Sequence, residues 1–183
     1  MAKTMTDMYV SVDMLSLGSS AYDSNENMIS TFKEIVAPLE GAKQHADNME
    51  FWKANPKAWD AVQTDQTLPD RAMAKYAAWL DGLVAGTESS LVFVTYPAVF
   101  DFSFVHWCML HFVGRDPFGY FALDLKTYAM AALDTGFVET DKSKMPEDWL
   151  TREHSHIALD DAIEQGEMVF AIRKAIRRQF GTQ

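Results

Sequence analysis

A chain with one cysteine among 183 residues cannot close an internal disulfide, and such thiol poverty fits a reducing compartment. That residue, Cys108, lies in the apolar stretch "FVHWCMLHF" and reads as an inert buried thiol. Long hydrophobic runs are lacking too. The best candidate, Phe104 to Val113, is shorter than the roughly 18 residues that span a bilayer and contains His106 and His111. The opening segment "MAKTMTDMYV" has no apolar stretch of signal-peptide length, so a cytoplasmic location is expected, with no membrane partner. Positive charge is scarce: 16 Lys and Arg against 26 Asp and Glu leave a formal net charge of −10. Broad electrostatic binding of nucleic acid needs a basic surface and is disfavoured. The objection weakens where part of the acidity is a metal site, because bound divalent cations reverse the local sign. A basic cluster at Arg173, Lys174, Arg177 and Arg178 reads as the solvated, dipole-compatible end of a helix.

What is present suits a globular protein: 48% of residues are hydrophobic and 13% aromatic, in a length sufficient for a single domain over 1–183 with a substantial core. Residues 8–23 and "MISTFKEIV" (28–36) read as strands, and the turn-forming "SNEN" between them predicts a hairpin. "MEFWKANPKAWDAVQ" is helical and interrupted near Pro56, with Phe51, Trp52 and Trp59 as packing anchors. "LPDRAMAKYAAWLDGLVAG" carries Met73, Tyr76, Ala77, Leu80, Leu83 and Val84 at helical spacing, with Gly86 as the stop. "SLVFVTY" is a continuous apolar run of the kind a strand covered on both faces shows. A helix then opens at Asp101, with Phe104, Cys108, His111 and Phe112 on one face and His111 as a core or boundary residue. "FALDLKTYAMAAL" is strand-to-helix or helix, ending near Gly136. A polar loop with a short turn around Trp149 follows. The last helix runs from about Leu159 to Phe180, with Val169, Ile172, Ile176 and Phe180 inward. Strands first, then alternating helix and strand, predict an α/β domain with a mixed sheet.

Three acidic residues occupy the places where such a sheet would carry chemistry. Asp13 follows the first hydrophobic strand, Asp101 follows "SLVFVTY", and Asp161 is in the first turn of the last helix, five positions after His156. Taken singly, Asp101, Asp160 and Asp161 are caps or dipole-pairing residues. Asp13 differs, because a strand interior disfavours Asp and a charge beside a buried strand must be paired or metal-bound. Carboxylates converging from separate elements suit Mg²⁺ or Mn²⁺. Two such ions about 4 Å apart stabilise the attacking and leaving oxygens of phosphodiester hydrolysis, and a histidine titrating near neutrality can deprotonate the water. On this reading Asp13, Asp101 and Asp161 hold metal and His156 is the general base; His154 is the rival, read as a loop residue.

"VSVD" ending at Asp13, "YPAVFDFSFV" around Asp101 and "HIALDDA" with His156 and Asp161 resemble the 3′–5′ exonucleases of the RNase H-like superfamily, whose signature is four acidic residues and a histidine. "FALDLKTYAM" and "FWKANPKAW" resemble segments of its bacterial and phage-like branch, so the similarity runs from about Met8 to Lys174. The resemblance implies an RNase H-like fold with a five-stranded mixed sheet flanked by helices. It implies two Mg²⁺ or Mn²⁺ ions at Asp13, Asp101 and Asp161, and His156 activating the water that attacks the 3′-terminal phosphodiester of single-stranded DNA or RNA. A homodimer is an open possibility, since related folds sometimes borrow basic residues from a second subunit.

Two positions depart from the family pattern. Pro97 stands where an asparagine is usual, and Leu15 stands where Asp-x-Glu would place the glutamate. "MYVSVD" resembles the family's first strand and "MLSLGSSAYD" its second, yet no turn residue separates Asp13 from Met14. One strand over 8–23 would extend roughly 50 Å at about 3.3 Å per residue. The junction therefore lacks a connecting loop that would have carried the glutamate. Either the loop is deleted from the protein or residues are missing from the sequence there, and a Cα separation far from about 3.8 Å would mark the second. The leading function is a metal-dependent 3′–5′ exonuclease. The alternatives are a catalytically impaired nucleic-acid-binding or regulatory relative, favoured by Leu15 and the −10 charge, and a phosphodiesterase for short nucleotides.

Overall fold

A computed structural model describes residues 15–42, 46–150, 152 and 155–181. Asp13, the Asp13–Met14 junction and His154 lie outside them, as does the beginning of the stretch read as strand from residue 8. The first reversal is set by Asp23, whose Oδ1 accepts from the backbone N–H groups of Asn25 and Asn27, both at 2.9 Å. This is the side-chain mimic of a turn that Asp favours. It joins β1 (Ser16–Tyr22) to β2 (Met28–Ile35) as the expected antiparallel hairpin, with a register shift between Ala21 and Tyr22. Leu15 is buried at the start of β1, and its carbonyl accepts from the Val36 N–H at 3.0 Å.

Helix α1 (Ala46–Ala54) stops where Pro56 opens α2 (Pro56–Asp60), since proline fits a first helical turn and not an interior. Trp52 and Trp59 pack across this break, ring centroids 5.6 Å apart. Helix α3 (Pro69–Val84) buries Met73, Tyr76, Ala77 and Leu80 as its spacing predicts, and Gly86 beyond its end takes φ +72°.

The next elements are β3 (Phe93–Thr95), α4 (Ala98–Cys108), a π-helical turn (Met109–Val113), β4 (Ala122–Asp124) and α5 (Leu125–Leu133). β3 and β4 pair in parallel, with Thr95 opposite Asp124. Asp124 caps α5, accepting from the Thr127 N–H at 3.2 Å. Two 3₁₀ turns (Lys142–Lys144, Glu147–Trp149) lead to α6 (Ala158–Phe180). No described helix is long and apolar enough to cross a membrane.

This is a mixed α/β architecture, but its described strands form two two-stranded sheets, β1–β2 and β3–β4, rather than the single sheet of five expected. "SLVFVTY" contributes only three strand residues, and Val92 is 67% exposed, so the run is not covered on both faces. Pro97, which cannot donate to a ladder, follows at once. Helix α4 begins at Ala98, not Asp101. His111 is exposed and stacks on Trp107 at 4.6 Å, because the π turn, with Gly114 N–H bonded to the Met109 carbonyl, rotates it off the buried face. Phe180 is likewise exposed, in the helix's last turn with Arg177 and Arg178.

Two apolar clusters result. One gathers Leu17, Val36, Met73, Tyr76, Leu80, Val105 and Met109; the other gathers Leu125, Ala129, Trp149, Met168 and Ile172. β1 alternates between two helices. Leu17 packs with α3, where the Ser19 hydroxyl bonds the Tyr76 hydroxyl at 3.0 Å. On its other face the Ser20 hydroxyl donates to the Ala162 carbonyl at 2.8 Å, and Tyr22 to that of Ile163 at 3.4 Å. That face also carries Gly18, where a Cβ would fall 2.2 Å from the Ala158 carbonyl carbon and 2.3 Å from the Leu159 nitrogen. On α6, a Cβ at Gly166 would fall 2.3 Å from Cε2 of Tyr22. The small residues that give "SLGSSAY" its polar look are what bring strand and helix backbones together.

In urea unfolding, Gly18→Ala is expected to lose about 1–3 kcal/mol or more, since backbone cannot yield. Gly166→Ala should lose less, because a tyrosine ring can swing aside and alanine regains up to about 1 kcal/mol of helix propensity. A Gly18→Ala protein as stable as wild type would refute this packing. Burial also pushes the Cys108 thiol up to about 11. The native protein should therefore leave a thiol-reactive chromogen unreacted at pH 8, with one thiol appearing on unfolding.

Candidate functional site

The site is assembled where β3 ends. Thr95, buried as the last residue of that strand, donates its hydroxyl to Oδ2 of Asp101, one turn into α4. Burial pushes the Asp101 carboxyl above its ordinary value; the Thr95 hydroxyl opposes this, the Asp161 charge adds to it and the Lys142 ammonium opposes it. Asp101 and Asp161, carried by separate helices, thus lie near enough for their charges to interact. Neither is a cap. Pro97 and Ile157 hold the cap positions, so Asp101, Asp160 and Asp161 are first-turn residues, where the helix dipole favours a negative charge. Asp160 accepts from the Ser155 hydroxyl at 3.0 Å, and Oδ1 of Asp161 is buried.

Helix α6 presents one stripe to this place. The Asp161 charge acts on Asp101, Glu164 accepts from Lys142 Nζ at 2.8 Å, and Gln165 Oε1 accepts from the Tyr96 N–H at 2.9 Å. Tyr96 donates its hydroxyl to the Thr140 carbonyl at 3.0 Å and lies under the Lys142 ammonium, 5.6 Å from its ring centre. β4 adds Asp124, whose Oδ1 accepts from the Ala98 N–H at 3.1 Å and ties the start of α4 to the neighbouring strand.

His156 precedes α6 with φ +57°, and its ring stands edge-on to Phe51 at 5.0 Å. It lines a small recess with Lys33, Val62 and Ala158, between β2, α2 and the start of α6. Asp13, the remaining expected ligand, lies outside the described residues.

The donor set has the right chemistry for a hard divalent cation. Two like-charged carboxylates in a buried setting are relieved by such an ion, and oxygen ligands suit Mg²⁺ or Mn²⁺. Among the described residues no group of three or more His, Cys, Asp or Glu side chains is placed to hold a metal ion. Asp101 and Asp161 by themselves are fewer oxygen donors than such a site needs.

Thr95, Lys142 and Glu164 did not emerge from the sequence. Glu164 had a usable signal: extending the buried positions Ile172 and Met168 back along the helix reaches Glu164 and then Asp161, so acids stand where apolar residues are due. Lys142 had none, being one of two lysines in a polar loop.

Since the raised Asp101 pKa penalises its charged form in the fold, stability is fully present below pH 3.8 and is lost as pH rises through the folded value. Metal-free Asp101→Asn is therefore expected to melt above wild type at pH 7. The two melting temperatures should converge below pH 3.8. An unchanged difference across that range would exclude the buried-charge account.

No family model matches this sequence. The chain is similar to the 3′-5′ DNA exonuclease Cap18 of Escherichia coli, 26% identical over 190 residues that cover 94% of this chain and 95% of that protein.

Proposed function

We propose that this chain is a metal-dependent 3′–5′ exonuclease of the RNase H-like superfamily, acting on single-stranded DNA. The observation that carries the reading is the meeting of Asp101 and Asp161 at the end of β3, in a chain similar along nearly its whole length to a 3′-5′ DNA exonuclease. Asp13, Asp101 and Asp161 would hold two Mg²⁺ or Mn²⁺ ions. When bound, these polarise the scissile phosphate and stabilise the attacking and leaving oxygens. The protein's own part is positional. Thr95 fixes Oδ2 of Asp101, leaving Oδ1 to point elsewhere, and α6 delivers Asp161 from its first turn. His156 would receive the proton of the attacking water at a ring nitrogen.

Leu15 favours a second reading, a relative that binds nucleic acid but has lost the chemistry. It is buried, and its backbone is tied to Val36, so the position pairs and packs β1 without supplying a carboxylate. The comparison of 190 positions is longer than the chain's 183 residues, so the relative has residues with no counterpart here.

A 5′-labelled single-stranded oligonucleotide with Mn²⁺ is expected to shorten stepwise from its 3′ end, DNA faster than RNA, and a chelator should stop it. Asp101→Asn and Asp161→Asn should each lower the rate by more than about 100-fold, the upper end of what outer-shell partners cost. A label left intact in both Mg²⁺ and Mn²⁺, with binding retained, would overturn the exonuclease and support the impaired relative.

A further inference from the structure

Lys142 is the cation built into an otherwise acidic place. Its side chain is 19% exposed, and it donates to Glu164, whose side chain is 3% exposed. One face of the ammonium is covered by the Tyr96 ring, and Tyr96 follows the Thr95 that holds Asp101. Glu164 in turn lies three residues beyond Asp161 on the same stripe of α6. A lysine buried to this degree needs a paired carboxylate, and Glu164 supplies it. The pair is more than a staple, because an ammonium carries three N–H donors and the Glu164 bond uses one. With Lys142 balancing Glu164, the carboxylates of Asp101 and Asp161, with Asp124 on the neighbouring strand, leave the end of β3 acidic. The ammonium also lies near enough to Asp101 for its charge to oppose the rise in that carboxyl's pKa.

We propose that Lys142, anchored by Glu164 and the Tyr96 ring on the 3₁₀ turn before α6, is a substrate-contacting residue of this site that binds a backbone phosphate at the 3′ end of a DNA strand. The assignment rests on the exonuclease reading and deepens it. It also answers the charge objection, since one held cation at the reacting end can do what a surface of −10 cannot do broadly.

The test uses Lys142→Met/Glu164→Gln, which removes both charges together and so avoids stranding a buried carboxylate. Binding of a 5′-fluorescein single strand is followed over a range of salt in the non-cleaving Asp101→Asn background, with and without the double change. Loss of one phosphate contact is expected to reduce the slope of log affinity against log salt by about 0.7. In the cleaving background KM should rise. An unchanged slope, even with a lower melting temperature or slower turnover, would reduce Lys142 to a structural role and overturn the inference. A second measurement needs no variant at the lysine. A strand ending in one periodate-oxidised ribonucleotide, reduced with cyanoborohydride on the Asp101→Asn protein, should become attached at Lys142; attachment only at other lysines overturns the proposal. Failure of the exonuclease reading is separately visible, as a wild-type protein that binds and attaches the strand but never shortens it.

Discussion

Gly18 of β1 lies so close to the Ala158–Leu159 peptide of α6 that there is no room between them for a single added carbon. Almost everything at the candidate site follows from that approach. A helix lying backbone to backbone on a strand has its rotation about its own axis fixed. Ala162 and Ile163 offer their carbonyls to Ser20 and Tyr22, and Gly166 admits the Tyr22 ring. Once those residues are committed to β1, the adjacent stripe must turn to the end of β3. That stripe is Asp161, Glu164 and Gln165, continued into the second apolar cluster by Met168 and Ile172. Polar residues near the start of the helix and apolar ones further along thus share a single inward direction.

The end of β3 is organised by hydrogen bonds as much as by packing. Gln165 takes the Tyr96 N–H that no longer has a ladder partner, and Asp124 takes the Ala98 N–H at the start of α4. The strand-to-helix corner around Pro97 is therefore satisfied by side chains from two other elements. Asp101 stands one turn inside that corner, held by Thr95. Burial raises its pKa, so its charged form is held there at a cost to stability.

Much of the fold was legible in the sequence. The hairpin followed from "SNEN" between two β-rich runs, and α3 followed from its apolar spacing and its glycine stop. The errors have physical causes. A continuous apolar run looks the same whether it is a long buried strand or three strand residues flanked by turns, so "SLVFVTY" was over-read. Helical spacing assumes 3.6 residues per turn, and the π turn at Met109–Val113 breaks that count just before His111. At the candidate site, Asp101 and Asp161 stand out in the sequence because acids at strand ends and helix starts have a reason to be noticed. Thr95, Lys142 and Glu164 were missed because their importance lies in whom they touch. No spacing rule brings residue 142 to residue 164 across two 3₁₀ turns.

The lock at Gly18 has a consequence for how the chain tolerates changes in length. Side chains on β1 alternate between α3 and α6, so a slip of one residue would drive Leu17 or Ser19 into the Ala158 peptide. Sliding the strand is thus not a way to absorb an insertion or deletion upstream. The phase of β1 is set at the Leu15–Val36 bond, and everything after it keeps its place. Evolution could lengthen, shorten or discard the segment before that point while Asp101 and Asp161 stayed where they are.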